Sequence, residues 1–178
     1  MAPDEMEKRL ISVEAQLKRT TERLRVMEDI EAIKQMHMSY VNSVCFAEFE
    51  NISEFFAEDS TIDFGALEAK DPPIKGKVEI GKFFKEKVAK VHVGKEATFV
   101  VHPIIKVNGD SATGNWVLYI MYSFPRTGQA LCWVQLTYEA RYVREEGKWK
   151  FGYLFTRERL GLPGGGAPLE IFGLTELP

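Results

Sequence analysis

With 178 residues, 45% hydrophobic and 28% charged, the chain has room for one domain with a real core and not comfortably for two. The formal net charge of -3, without a basic stripe, argues against a nucleic-acid binder, and no apolar run approaches the ~20 residues of a membrane-spanning helix. The cysteines, Cys45 and Cys132, make no disulfide framework, no CxxC or paired Cys/His spacing suggests zinc, and Met1 to Leu10 lacks the apolar stretch of a leader, so a cytoplasmic protein is expected.

Met6, Leu10, Val13, Leu17, Leu24 and Met27 recur at alternating spacings of four and three, with Thr20 in the gap. This heptad seam on an otherwise charged helix predicts an arm, residues 1–27, that needs a partner surface: another subunit, giving a homodimer or homotrimer, or the domain's own flank. From Glu28 the stripe shifts to Ile30, Ile33, His37, Tyr40, Val41 and Val44, which predicts a bent or broken helix, or two helices meeting near residues 27–29. A shorter apolar cluster, Phe46, Phe49, Ile52, Phe55 and Phe56, ends at the polar Glu58-Asp59-Ser60, and Ser60 to Phe64 reads as a short strand.

Ala66 to Lys75, with Pro72-Pro73, reads as a loop, and Lys77 to Ala89 as a helix with Ile80, Phe83, Phe84 and Val88 on one side. The lysines at 82, 85, 87 and 90, interleaved with Glu86, read as its solvated face. Strands are expected over Thr98–Val107, Ala112–Phe124, Ala130–Arg144 and Trp149–Arg157, with turns at Asn108-Gly109, Pro125–Gln129 and Glu146-Gly147. Helices followed by an antiparallel meander predict an α+β domain over residues 28–160. A Pro/Gly-rich tail over 161–178 follows, in which Leu169, Ile171, Phe172 and Leu174 are apolar enough to dock.

Several short runs carry a resemblance: Glu28 to Gln35 followed by Tyr40, Phe55-Phe56-Ala57-Glu58-Asp59-Ser60, Gly76 before a helix, His102-Pro103, Ala112 to Trp116, and Gly147-Lys148-Trp149-Lys150. In this order and spacing, over residues 27–157, the chain resembles the SnoaL-like family of the nuclear transport factor 2-like, cystatin-like superfamily. The resemblance implies a cone of curved antiparallel sheet closed by N-terminal helices around an apolar pocket. It also implies chemistry by proton abstraction without metal or organic cofactor, as in polyketide cyclases, scytalone dehydratase, bile-acid dehydratase and hexachlorocyclohexane dehydrochlorinase. Other proteins of this fold only bind ligands or assemble complexes.

The dehydratase-like members place a Tyr on the second helix, an Asp five residues later, and a His on a central strand. Tyr40 matches the Tyr; Cys45 stands where the Asp would be, and Thr98 to Val101 supply no base where the His would be. The remaining candidates for moving a proton are His102, beside Pro103, and Asp63 on the short first strand. His37 lies one turn before Tyr40 and offers a relay pair with it, although a helix-surface histidine is the favoured reading. Phe64, Trp116, Tyr119, Gln135 and Tyr138 are candidate substrate contacts, with Trp133 and Phe155 adding aromatic surface. Strand parity separates Trp116 from Tyr119 without saying which face is the cavity. The expected function is a pocket protein for a small apolar cyclic hydroxy or keto compound, as a cofactor-free lyase or isomerase, or as a non-catalytic binding or assembly protein of the same fold.

Overall fold

A computed structural model describes residues 3–64, 72–91, 94, 96–123 and 130–160. The Pro125–Gln129 turn, most of the loop before Lys75, His92, the apolar tail residues and the Trp133 side chain lie outside the described residues.

One α-helix, α1, runs unbroken over Pro3–Cys45, 43 residues and about 65 Å. The helix does not break near residues 27–29. No Gly or Pro interrupts residues 4–45, so the backbone has no reason to kink. What changes at Glu28 is the surface the helix meets. Residues 4–25 are exposed throughout, and Asp29 is the first buried position. From there Ile33, His37, Tyr40 and Val41 are buried against the sheet.

After a 3-10 turn over Ile52–Phe55, strand β1 spans Phe56–Asp63, starting earlier than its polar junction suggests because Phe56 and Ala57 are already buried in the sheet. The two-residue β2 (Ile74–Lys75) follows, then α2 (Lys77–Phe83), a π turn (Phe84–Val88) and the short α3 (Ala89–Val91). Four long strands complete the chain: β3 (Ala97–Asn108), β4 (Ser111–Ser123), β5 (Ala130–Glu145) and β6 (Lys148–Leu160). The curved, unclosed sheet has the order β2-β1-β6-β5-β4-β3. All its pairings are antiparallel except that of β1 with β6, which is parallel and makes the sheet mixed.

The hairpin turns follow from local backbone chemistry. Glu146 and Gly147 both take positive φ (52° and 76°) between the paired Glu145 and Lys148, as a two-residue primed turn demands. The β3–β4 turn sits one residue later than Asn108-Gly109: Asn108 pairs with Ser111, and Gly109 (φ 59°) opens the loop. Ala112, Trp116, Leu118, Ile120, Val134, Leu136, Tyr138, Ala140, Tyr142, Phe151 and Leu154 form the inner face of the sheet, under α1 and α2.

Where α1 enters the domain, it is clamped. Asp29 Oδ1 accepts from the Arg144 guanidinium and from Trp149 Nε1 (3.1 Å), Arg144 Nε donates to Asp110 Oδ1 (3.0 Å), and the guanidinium lies 4.5 Å over the Trp149 ring. Burial opposes ionisation of Asp29, but these hydrogen bonds and the Arg144 charge outweigh it and hold the carboxyl below its ordinary range.

Candidate functional site

At the centre of the inner face lies His37, with no exposed surface. Trp116 is 4.2 Å from its ring, Phe151 5.1 Å, Tyr138 5.3 Å, Tyr142 6.1 Å and Tyr40 6.2 Å, centroid to centroid. The helix-surface reading of His37 is therefore corrected. The stripe that carries it is the one pressed on the sheet, and a surface position would need the opposite face of α1.

The hydrogen bonds around His37 have a direction. Trp116 Nε1–H can only donate, so the Tyr142 oxygen accepts it, at 2.7 Å. The Tyr142 proton is then available for His37 Nδ1, 2.8 Å away. An imidazole that accepts at Nδ1 carries its own proton on Nε2 when neutral. Burial keeps it neutral, pulling the His37 pKa down to about 3. Nε2 has no hydrogen-bond partner among the described residues. The result is an N–H donor without an acceptor among the described residues, inside an aromatic box.

Tyr40 is as deeply placed. Burial first, then the adjacent Tyr138 hydroxyl with which it hydrogen-bonds, pushes its phenol well above the ordinary value, so it stays protonated. Burial likewise raises Tyr142, against the opposing Trp116 bond. Trp116 pairs directly with Tyr138 across β4 and β5, and Tyr138 with Thr156 across β5 and β6. Thr156 is buried too, and its Oγ1 is a second polar atom without a partner among the described residues. One cross-strand row thus carries Trp116, Tyr138 and an unsatisfied hydroxyl.

Gly114 makes the network sterically possible. A Cβ there would lie 2.8 Å from Tyr142 Cε2, 3.0 Å from its Oη and 3.2 Å from Trp116 Nε1. Gly114→Ala should lower stability by ~1–3 kcal/mol. It should also shift the Trp116 emission as the Tyr142 bond is displaced; unchanged emission and melting temperature would show that the rings relax freely.

Of the residues singled out from sequence, the structure brings Tyr40, Trp116 and Tyr138 together. Tyr119 and Gln135 pair directly with each other on the opposite face of the sheet, where Gln135 Nε2 donates to the Tyr119 hydroxyl. Asp63 alternates with the buried Ile62 and so points away from the core; Tyr153 donates to it at 3.3 Å, with Arg141 over the Tyr153 ring. His102 is exposed on the edge strand β3, at a bulge where it takes φ 53°. Phe64 packs on Phe83 (5.4 Å), which meets Phe84, which meets Tyr40. Tyr142 and Thr156 went unnoticed in the sequence. The signal for Tyr142 was its parity with Tyr138, two steps along one strand; nothing local marks Thr156. Cys45, the last residue of α1, donates its thiol to the Glu96 carbonyl at 3.1 Å, and Glu96 itself is buried. Among the described residues, no three His, Cys, Asp or Glu side chains converge as metal ligands would, and no helix is long and apolar enough to cross a membrane.

This curved sheet, with a helix laid across an aromatic concave face, is that of the nuclear transport factor 2-like, cystatin-like proteins. The chain belongs to the SnoaL-like domain family, whose match covers residues 25–154. Among solved structures, it is similar to a nuclear transport factor 2-like protein with a cystatin-like fold from Novosphingobium aromaticivorans, at 19% identity and TM-score 0.65, covering 90% of this chain and 97% of that one. It is also similar to the hexachlorocyclohexane dehydrochlorinase LinA-type3 from Novosphingobium barchaimii, at 15% identity and TM-score 0.62, covering 78% and 92%. No curated protein matches it. Likeness at these identities establishes the fold alone.

Proposed function

We propose that this protein binds a small, flat, apolar cyclic hydroxy or keto compound against the concave face, with the compound's oxygen accepting from His37 Nε2–H. The observation that carries this is the fully buried Nε2, without a partner among the described residues, in an aromatic box. A buried polar group left unpaired costs ~1–3 kcal/mol, and a ligand oxygen would remove that cost. The surrounding rings supply apolar stacking surface, and the Thr156 hydroxyl offers a second polar contact on the same side of the sheet.

His37→Asn tests this, because the Asn side chain can still accept from Tyr142 where Nδ1 did but has nothing at the Nε2 position. In a titration of planar naphthol and naphthoquinone probes followed by Trp fluorescence, affinity should fall about tenfold or more, the loss of one hydrogen bond of ~1.4 kcal/mol. Naphthalene itself should bind both proteins equally. Equal loss for naphthalene, or no loss for the oxygenated probes, would reject His37 as the anchor. Thr156→Val should raise the melting temperature of the unliganded protein, since it removes an unsatisfied hydroxyl.

A second reading, a cofactor-free lyase or isomerase, is supported by the buried Glu96. Its backbone carbonyl accepts from the Cys45 thiol, so this buried residue sits at the junction of α1 and β3, just ahead of the stretch where the dehydratase-like members carry their strand histidine. In that reading Glu96 takes the proton and a neutral His37 polarises the oxygen, because an imidazole with a pKa of about 3 is too weak a base at neutral pH. Glu96→Gln should then abolish turnover of a bound substrate while leaving its affinity nearly unchanged.

A further inference from the structure

The exposed arm of α1 carries information about its partner. Met6, Leu10, Val13, Leu17, Leu24 and Met27 are each more than half exposed, so the domain's own sheet does not cover the seam. With 100° per residue, this seam lies about 170° around the helix from the stripe of Ile33, His37 and Tyr40. A second helix can therefore lie along the arm without meeting the domain that the arm belongs to.

The charges beside the seam select which helix that is. Heptad positions a fall on Leu10, Leu17 and Leu24, and positions d on Met6, Val13, Thr20 and Met27. The flanking g positions are then Arg9, Gln16 and Arg23, and the e positions Glu7, Glu14, Thr21 and Glu28. One flank carries only basic and neutral residues, the other only acidic and neutral ones. In a parallel, in-register pair of identical helices, each g residue faces the e residue five positions further along the other chain. Arg9 then meets Glu14 of the second copy, Gln16 meets its Thr21, and Arg23 meets its Glu28. In an antiparallel pair, g faces g and e faces e, which sets Arg against Arg and Glu against Glu.

We propose that residues 6–28 pair with the same segment of a second copy of this chain as a parallel, in-register, two-stranded coiled coil. The seam is a strict a/d stripe with polar flanks on both sides, as in a coiled-coil seam, and each g residue of one helix meets an e residue of one neighbouring helix. The Asp29–Arg144–Trp149 clamp holds the arm to its domain one residue beyond the last heptad position, so the pairing of the arms would set the orientation of the two domains.

Two experiments on the full chain test this. In a background of Cys45→Ser and Cys132→Ser, single variants Leu10→Cys and Leu24→Cys are mixed and oxidised under mild conditions. Parallel pairing gives 10–10 and 24–24 disulfides and no 10–24 species; a dominant 10–24 product, or no disulfide, overturns the proposal. Light scattering of the unaltered chain at micromolar concentration should give twice 20.3 kDa, and a mass of one chain or of three overturns it. Charge reversal separates pairing from folding. Arg9→Glu with Arg23→Glu should weaken dimerisation about 100-fold, as should Glu14→Arg with Glu28→Arg. Mixing the two double variants should restore association, with helical content unchanged in each. If neither reversal changes the dimer, or the mixture stays dissociated, the flank charges do not select the partner.

Discussion

Between pH 6.5 and pH 3, His37 alone should remove about 4–5 kcal/mol of folding stability, the largest single effect expected among the described residues. In the native state burial keeps its imidazole neutral down to about pH 3, while in the unfolded chain it titrates near the ordinary 6.5. Between those values the unfolded state binds a proton that the native state refuses. Stability is therefore complete above about pH 6.5, falls by about 1.4 kcal/mol per pH unit as the pH drops, and levels off below the native pKa. The groups facing the imidazole offer no charge to offset this: Tyr40 and Tyr142 are held protonated by burial, and Trp116 and Phe151 do not titrate.

The carboxylates Asp29, Glu54 and Glu145 are held below their ordinary values and also lose stability in acid, but only as the pH falls through about 4 and below. The window from pH 6.5 to 5 isolates the histidine. Over it the urea-derived stability of the wild type should drop by about 2 kcal/mol more than that of His37→Asn, which has no proton to bind there. Parallel curves for the two proteins would mean that the native imidazole reaches solvent protons freely, and the buried-donor account of the site would fall with them.

Loss of the clamp should rank second. Asp29→Ala should cost about 2–3 kcal/mol: Trp149 Nε1–H loses its acceptor, and Arg144, whose side chain is 23% exposed, keeps only the exposed Asp110. The magnitude sits at or just below the low end for broken buried pairs because water can still reach the guanidinium. Asp110→Ala, by contrast, removes a 70% exposed partner and should change stability by less than 1 kcal/mol. Chemical denaturation of the two variants gives the comparison directly. Equal effects would show that Asp29 adds nothing beyond a surface ion pair.

How much of this was legible in the residues depends on the range of the interactions involved. The order of helix and strands, the Glu146-Gly147 turn and the family follow from patterns a few residues long. Periodicity near 3.6 or 2, and residues that tolerate positive φ, act locally whatever the rest of the chain does. The heptad with its oppositely charged flanks is legible for the same reason. Four things were not local. The unbroken course of α1 through the stripe shift depended on which surfaces the two halves meet, since a change of partner rotates the apolar face without bending the backbone. The parallel pairing of β1 with β6 joins segments about 90 residues apart, which no short pattern encodes. Parity divided Trp116 and Tyr138 from Tyr119 and Gln135, but only the packing of α1 decided which of the two faces lies inside. The site itself was decided last. His37, Trp116 and Tyr142 come from α1, β4 and β5, and a histidine on an apolar stripe reads alike whether it meets water or aromatic rings. The cost of desolvating an imidazole, and the chance to leave one N–H waiting for a partner, exist only once the tertiary fold has closed around it.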